Sequence, residues 1–81
     1  MNLHSFLQEI SQKDGVSGYE DALGSFLAGA FSPLVDEVKK DNLGNCFFYK
    51  RGRGEDPPRV MLCAHMDEIG LMVTMMDEKG F

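Results

Sequence analysis

The hydrophobic period of the chain changes at Pro33, and this change limits the folds that the chain can adopt. Before Pro33, apolar side chains recur about every 3.6 residues, as on one face of a helix. After Pro33, apolar runs of strand length alternate with turn signals. The order of the elements therefore predicts an α/β fold in which two helices precede about four mixed strands.

Local end signals place the two helices. Leu3, Phe6, Leu7 and Ile10 form one apolar face, and Asn2 stands where it can cap the first helix. The second helix is predicted to open with a capping box at 17–20, S-G-Y-E, and to end at Ser32-Pro33. Its apolar face comprises Tyr19, Ala22, Leu23, Phe26, Leu27, Ala30 and Phe31.

Four short segments after Pro33 are predicted to be strands. The first two, 34–38 and 46–50, flank the turn sequence D-N-L-G-N at 41–45, which predicts an antiparallel hairpin. The run 59–64 is almost wholly apolar, as in a strand covered on both faces. The fourth, 69–76, leads into a second turn signal at 77–80 with one residue after it. We therefore expect the chain to be a fragment of a larger fold.

Composition excludes several classes of protein. The 81 residues carry a net charge of −5 and 43% hydrophobic residues, unlike a nucleic-acid-binding face or a disordered acidic tail. No uncharged run is long and apolar enough for a membrane span, and no signal peptide pattern opens the chain. Two cysteines, Cys46 and Cys63, lie in apolar runs and not in a disulfide framework, so a cytoplasmic location is expected.

One constellation, C-A-H-M-D-E-I-G at 63–70, carries chemistry at the end of a predicted buried strand. Residues i and i+2 of an extended chain share a face, so His65 and Asp67 are expected to point the same way. A carboxylate beside a histidine orients a metal-binding imidazole or forms a relay with a Ser or Cys nucleophile, and both alternatives stay open.

Two other chemistries are disfavoured. A Cys63-x-His65 zinc pair lacks a second Cys/His pair, because the only other histidine, His4, lies on the first helix. Asp67 and Glu68 are adjacent and would face opposite sides of a strand, unlike the two acids of a glycosidase.

An ordered series of motifs resembles a known family: S-G-Y-E at 17–20, D-N-L-G-N at 41–45, A-H-M-D-E-I-G at 64–70 and D-E-K-G-F at 77–81. It is similar to the N-terminus of the dinuclear metalloaminopeptidases of the glutamyl aminopeptidase and tetrahedral aminopeptidase family, some of which carry an endoglucanase label. The resemblance covers essentially the whole chain, and the run 64–70 is its specific part.

The resemblance implies an N-terminal fragment of an enzyme that removes N-terminal residues from peptides by metal-activated water. His65 matches a metal ligand, and Asp67 matches a carboxylate of the catalytic site beside the metals. Two divalent ions, zinc or cobalt, would serve the full-length parent, and this chain would hold an incomplete site and be inactive alone. The alternative is a non-catalytic truncated module that only folds or self-associates.

The family fold further implies how the chain is divided. Residues 1–67 would begin an α/β/α exopeptidase domain, and 68–81 would begin an inserted β-rich domain that is truncated here. The expected partners are a peptide substrate and, in the full-length parent, further copies of the same protein. No nucleic acid or membrane partner is expected.

Overall fold

The computed structural model describes all residues, 1–81, and contains two helices and one hairpin. The elements in chain order are helix α1 (Leu3–Ser11), helix α2 (Asp21–Phe31), a 3₁₀ turn (Ser32–Leu34), strand β1 (Glu37–Lys40) and strand β2 (Cys46–Tyr49). The mixed α/β class is therefore confirmed. Neither helix has the length and apolar character needed to cross a membrane.

Helix α1 begins where its sequence predicts. The Asn2 side chain accepts a hydrogen bond from the Ser5 backbone N–H at 3.1 Å, which satisfies one of the unpaired donors of the first turn. The helix ends at Ser11, after which the backbone N–H of Gln12 donates to the Glu9 carbonyl and that of Lys13 donates to the Ile10 carbonyl, both at 3.3 Å.

The predicted capping box of α2 is wrong. Gly18 has a φ of 85°, which places it in a turn, and the Tyr19 N–H donates to the Val16 carbonyl at 2.8 Å. The Glu20 carboxylate accepts from the Gly18 N–H at 2.8 Å, and α2 starts only at Asp21 without a side-chain cap. Tyr19 consequently lies outside the helix and is exposed.

The hairpin β1–β2 is antiparallel, with Glu37 opposite Tyr49 and Lys40 opposite Cys46. Strand β1 starts three residues after the predicted position because Ser32–Leu34 forms the 3₁₀ turn. Asp41 builds the connecting turn: its carboxylate accepts from the backbone N–H groups of Leu43 and Asn45, both at 2.9 Å.

Two side-chain contacts at this turn shift the pKa values of charged residues. The side chain of Asn45 donates to Asp41, and this contact is the main reason that the pKa of Asp41 lies below its ordinary value. Lys40 donates to Asp21 at 2.8 Å, which joins the hairpin to the start of α2. This hydrogen bond lowers the pKa of Asp21 and raises the pKa of Lys40.

Four phenylalanines hold the helices against the hairpin. The Phe6 ring of α1 lies 5.9 Å from Phe26 and 5.6 Å from Phe31, both on α2. Phe31 meets the edge of Phe48 on β2 at 5.1 Å with an interplanar angle of 78°. Leu23 and Leu27, which are 5% and 8% exposed, are the buried hydrophobic residues of α2. Part of each predicted apolar face thus meets in one small core, whereas Leu3 and Leu7 of α1 and Ala22 of α2 are exposed.

The third and fourth predicted strands are not strands in the structure. Residues 59–64 and 69–76 have no ladder partner, and their apolar side chains are largely exposed, with Leu62 at 93% and Ile69 at 100%. The two-stranded hairpin is the whole sheet. The radius of gyration is 17.1 Å, against about 12 Å for a compact chain of this length. Strand structure requires a pairing partner, and the apolar pattern alone does not provide one.

Candidate metal-binding site

Two segments that are distant in sequence meet beside the predicted site. The loop between α1 and α2 and the run 63–70 are joined by an isolated parallel bridge between Val16 and Glu68. The backbone N–H of Glu68 donates to the carbonyl of Gly15 at 2.8 Å. The run that carries His65 and Asp67 is therefore fixed to the helical part of the molecule at one point.

His65 and Asp67 are in direct contact. The Nδ1 atom of His65 lies 2.9 Å from the backbone oxygen of Asp67 and 3.1 Å from its Oδ1 atom. A carbonyl and an ionised carboxylate can only accept hydrogen bonds, so Nδ1 is the donor. The neutral imidazole then carries its proton on Nδ1 and presents an unprotonated Nε2 as a ligand.

The site is open to solvent. The His65 side chain is 85% exposed and that of Asp67 is 40% exposed. Both lie at a depression of about 360 Å³ lined by Val16, Ser17, His65, Asp67, Glu68, Ile69 and Gly70. A ligand can therefore reach the free edge of the imidazole without rearrangement of the chain.

The donor set fits part of a metal site. An imidazole whose Nδ1–H donates to a carboxylate and a carbonyl, with Nε2 free, is the arrangement found around metal-binding histidines. The chain contains no group of three or more His, Cys, Asp or Glu side chains placed to hold an ion. His65 can thus supply one ligand and Asp67 its orientation, while a closed coordination sphere requires further ligands.

A Ser or Cys relay is not assembled around His65. All hydrogen bonds of the imidazole go to Asp67, and no hydroxyl or thiol donates to it. Ser17 lies at the same depression without such a bond, and Cys63 is a free, exposed thiol. Of the two alternatives left open by the sequence, the geometry favours the metal-binding histidine.

Sequence reasoning missed the residues that hold this run in place. Gly15 and Val16 contribute backbone contacts, and a Cβ atom added at Gly70 would lie 2.5 Å from Val16 Cγ2. The one available signal was glycine itself, because a glycine within an extended run marks a close approach of other atoms.

Comparison with known proteins finds similarity to one family. The sequence model described as M42 glutamyl aminopeptidase matches residues 44–81, which include His65 and Asp67. A provisionally named aminopeptidase of Acetivibrio thermocellus is 40% identical over 99% of this chain. The lysyl aminopeptidase of Pyrococcus furiosus is 40% identical over 93% of the chain. The glutamyl aminopeptidase of Lactococcus lactis is 31% identical over 99%.

The matches span essentially all of this chain but only part of each relative. The chain covers 23%, 21% and 22% of the lengths of these three proteins, in the same order. No solved structure gives a significant match. The resemblance inferred from the motifs is confirmed: the chain is related to the M42 glutamyl aminopeptidases and matches their family model over residues 44–81.

Proposed function

We propose that this chain is a segment of a metal-dependent aminopeptidase, which hydrolyses N-terminal residues from peptides. One observation carries the proposal: within the stretch that matches the family, His65 is held through Nδ1 by Asp67 and presents a free Nε2 to solvent. That geometry is what a metal ligand needs, and the family match supplies the reaction class.

His65 and Asp67 have separate tasks in this proposal. His65 binds a divalent ion through Nε2, and Asp67 fixes the ring orientation and stabilises positive charge that the imidazole gains on binding. The ions of the site, zinc or cobalt among those that imidazole and carboxylate ligands accept, would polarise the scissile carbonyl and lower the pKa of a bound water.

The 81-residue chain by itself is proposed to be inactive. A catalytic zinc ion takes about three protein ligands and a water. This chain brings together one histidine and one aspartate, and its structure holds no larger group of potential ligands. The remaining ligands and the general base must come from residues outside these 81.

Domain organisation and cellular setting follow from the same proposal. Residues 1–67 contribute to the peptidase domain, and 68–81 begin a β-rich insertion. The exposed apolar run 69–76 agrees with a segment that needs further chain or another copy to cover it. We further propose that the full-length enzyme is cytoplasmic, is a homo-oligomer and acts on peptides.

The test compares the two histidines of the chain in the protein that contains this segment. Hydrolysis of an aminoacyl p-nitroanilide is measured with zinc or cobalt added. His65→Ala is expected to lower activity by more than ~100-fold, beyond what loss of an outer carboxylate costs. His4→Ala is the matched control, because His4 is exposed on α1, and it should retain full activity. Full activity of His65→Ala, or no metal dependence, would refute the proposal.

A non-catalytic module that only folds or self-associates is the second candidate. The observation that favours it is the uncharged, exposed run 69–76, in which Leu71 and Ile69 are entirely exposed. Unpaired extended segments of this kind pair with other chains. If the protein that contains this segment hydrolyses no aminoacyl substrate with either metal, and the 81-residue chain forms defined assemblies, this candidate replaces the first.

A further inference from the structure

We infer that Gly15 is a positioning residue for His65. The Gly15 carbonyl accepts a hydrogen bond from one peptide group, and the oxygen of that peptide group accepts from Nδ1 of His65. This favours the imidazole tautomer that leaves Nε2 free. The inference rests on the proposed function, since the tautomer matters only if His65 binds a ligand. Gly15 and Val16, on which it depends, lie outside the motifs of the sequence and outside the matched stretch 44–81.

The peptide group that joins Asp67 to Glu68 links Gly15 to His65. Its N–H donates to the Gly15 carbonyl at 2.8 Å, and its C=O lies 2.9 Å from His65 Nδ1. A peptide group is planar and its N–H and C=O point in opposite directions. Fixing the N–H on Gly15 therefore fixes the direction in which the C=O meets the imidazole.

The same arrangement also strengthens the contact. Hydrogen bonds in a chain polarise one another, so a peptide whose N–H is already donating becomes a better acceptor at its oxygen. Of the two acceptors for His65 Nδ1, the backbone oxygen of Asp67 thus depends on the Gly15 carbonyl for both its position and its strength.

Gly15 is itself held by the core. It is one of the few buried residues, and a Cβ atom added to it would lie 3.1 Å from Leu23 Cδ2 and 3.6 Å from the Met66 carbonyl oxygen. Leu23 is 5% exposed on α2. The absence of a side chain lets the loop lie against both α2 and the run that carries His65.

A second contact fastens the two segments. Val16 bridges to Glu68, and its Cγ2 atom occupies the place that a side chain at position 70 would take, 2.5 Å from an ideal Cβ. If residue 16 were alanine, its Cβ atom would lie 3.6 Å from a Cβ atom at position 70, which is an ordinary van der Waals distance. The pair Val16 and Gly70 is therefore sterically complementary and can be tested by compensation.

The experiment uses the metal-free 81-residue chain, kept below the concentration at which light scattering detects assembly. Gly70→Ala, Val16→Ala and the double variant are compared by the ¹⁵N NMR shifts of the His65 imidazole, at a pH where the ring is neutral, and by amide exchange of Glu68. Gly70→Ala is expected to speed exchange at Glu68 by about 5-fold, the effect of one lost hydrogen bond. It should also move the two ring nitrogens toward an average of both tautomers.

Rescue and control separate positioning from general damage. The double variant should regain the wild-type exchange rate and Nδ1–H tautomer, because the clashing methyl group is gone. Gly29→Ala is the control: it makes the same change in α2, where the added Cβ would meet nothing within 4 Å apart from neighbouring backbone of its own helix, and it should leave the His65 shifts unchanged.

Three results would overturn the inference: an unaltered tautomer in Gly70→Ala despite faster exchange at Glu68, no change in either measurement, or no recovery in the double variant. None of these needs a bound metal or enzymatic activity. A failure of the proposed hydrolysis is thus seen in the assay with substrate, and a failure of this inference in the ring shifts alone.

Discussion

Replacing Phe31 with leucine should destabilise the folded part of the chain by about 1–3 kcal/mol. Phe31 is the one ring that contacts both the other helix, through Phe6 at 5.6 Å, and the hairpin, through Phe48 at 5.1 Å. Each aromatic pair contributes about 0.5–1.5 kcal/mol beyond the area it buries. Leucine keeps an apolar side chain in place, so the expected loss is chiefly that of two aromatic pairs.

Urea unfolding followed by far-ultraviolet circular dichroism measures this cost as a shift of the midpoint at constant slope. Phe47→Leu is the matched control: this ring is on the same strand as Phe48, is 54% exposed and takes part in no aromatic pair. It should change the free energy of unfolding by less than about 0.5 kcal/mol. Equal costs for Phe31→Leu and Phe47→Leu would refute the reasoning.

A double-mutant cycle makes the prediction sharper. Phe6→Leu also removes two pairs, those with Phe26 and Phe31. Because the Phe6–Phe31 pair is common to both single variants, the double variant should cost less than their sum by about 0.5–1.5 kcal/mol. Strict additivity would show that the two rings contribute independently of each other.

Three further outcomes are expected. In the protein that contains this segment, Asp67→Asn should weaken metal affinity by ~10–100-fold and should regain activity with excess metal. Any activity lost in Glu68→Gln should not be recovered by added metal. Metal titrations in which Glu68→Gln is rescued and Asp67→Asn is not would contradict the roles assigned to the two acids. The hydrogen bond from the Asn45 side chain is the main reason that the pKa of Asp41 lies below its ordinary value. The contribution of Asp41 to stability is therefore present above the ordinary pKa of an aspartate, and it is lost as the pH falls through the lowered pKa of the folded state. In Asp41→Asn, the urea midpoint should depend less on pH below about pH 4 than it does in the unsubstituted chain. The isolated chain should self-associate through 69–76, and a lysine placed within that run should reduce the assembly seen by light scattering; a clean monomer at high concentration would contradict this.

Features set by near neighbours in sequence could be predicted. The Asn2 cap joins residues three apart, and the Asp41 turn joins residues no more than four apart, so their chemistry is legible in the sequence. The contact between His65 and Asp67 spans two residues and follows from extended backbone. The capping box predicted at 17–20 is wrong although it is local. The Glu20 carboxylate accepts a hydrogen bond from the Gly18 N–H, which belongs to a different turn and is nearer along the chain than the Ser17 N–H.

Features set by pairing between distant segments could not be predicted. The apolar run 59–64 reads as a buried strand, yet burial and pairing depend on a surface that the run does not itself contain. The attachment of Glu68 to Gly15 has no counterpart in spacing or composition, because any backbone carbonyl can accept a hydrogen bond. Its only trace in the sequence is the pair of glycines at positions 15 and 70.

Both kinds of feature occur at the site, and there the position of His65 is independent of sheet formation. The contact between His65 and Asp67 is local, and the anchor on Gly15 is a single hydrogen bond supported by one steric fit at Gly70. Neither needs 59–64 or 69–76 to be paired into a sheet, and neither segment is paired here. The orientation of the imidazole can therefore be set by the helical part of the molecule before the strands around it are covered.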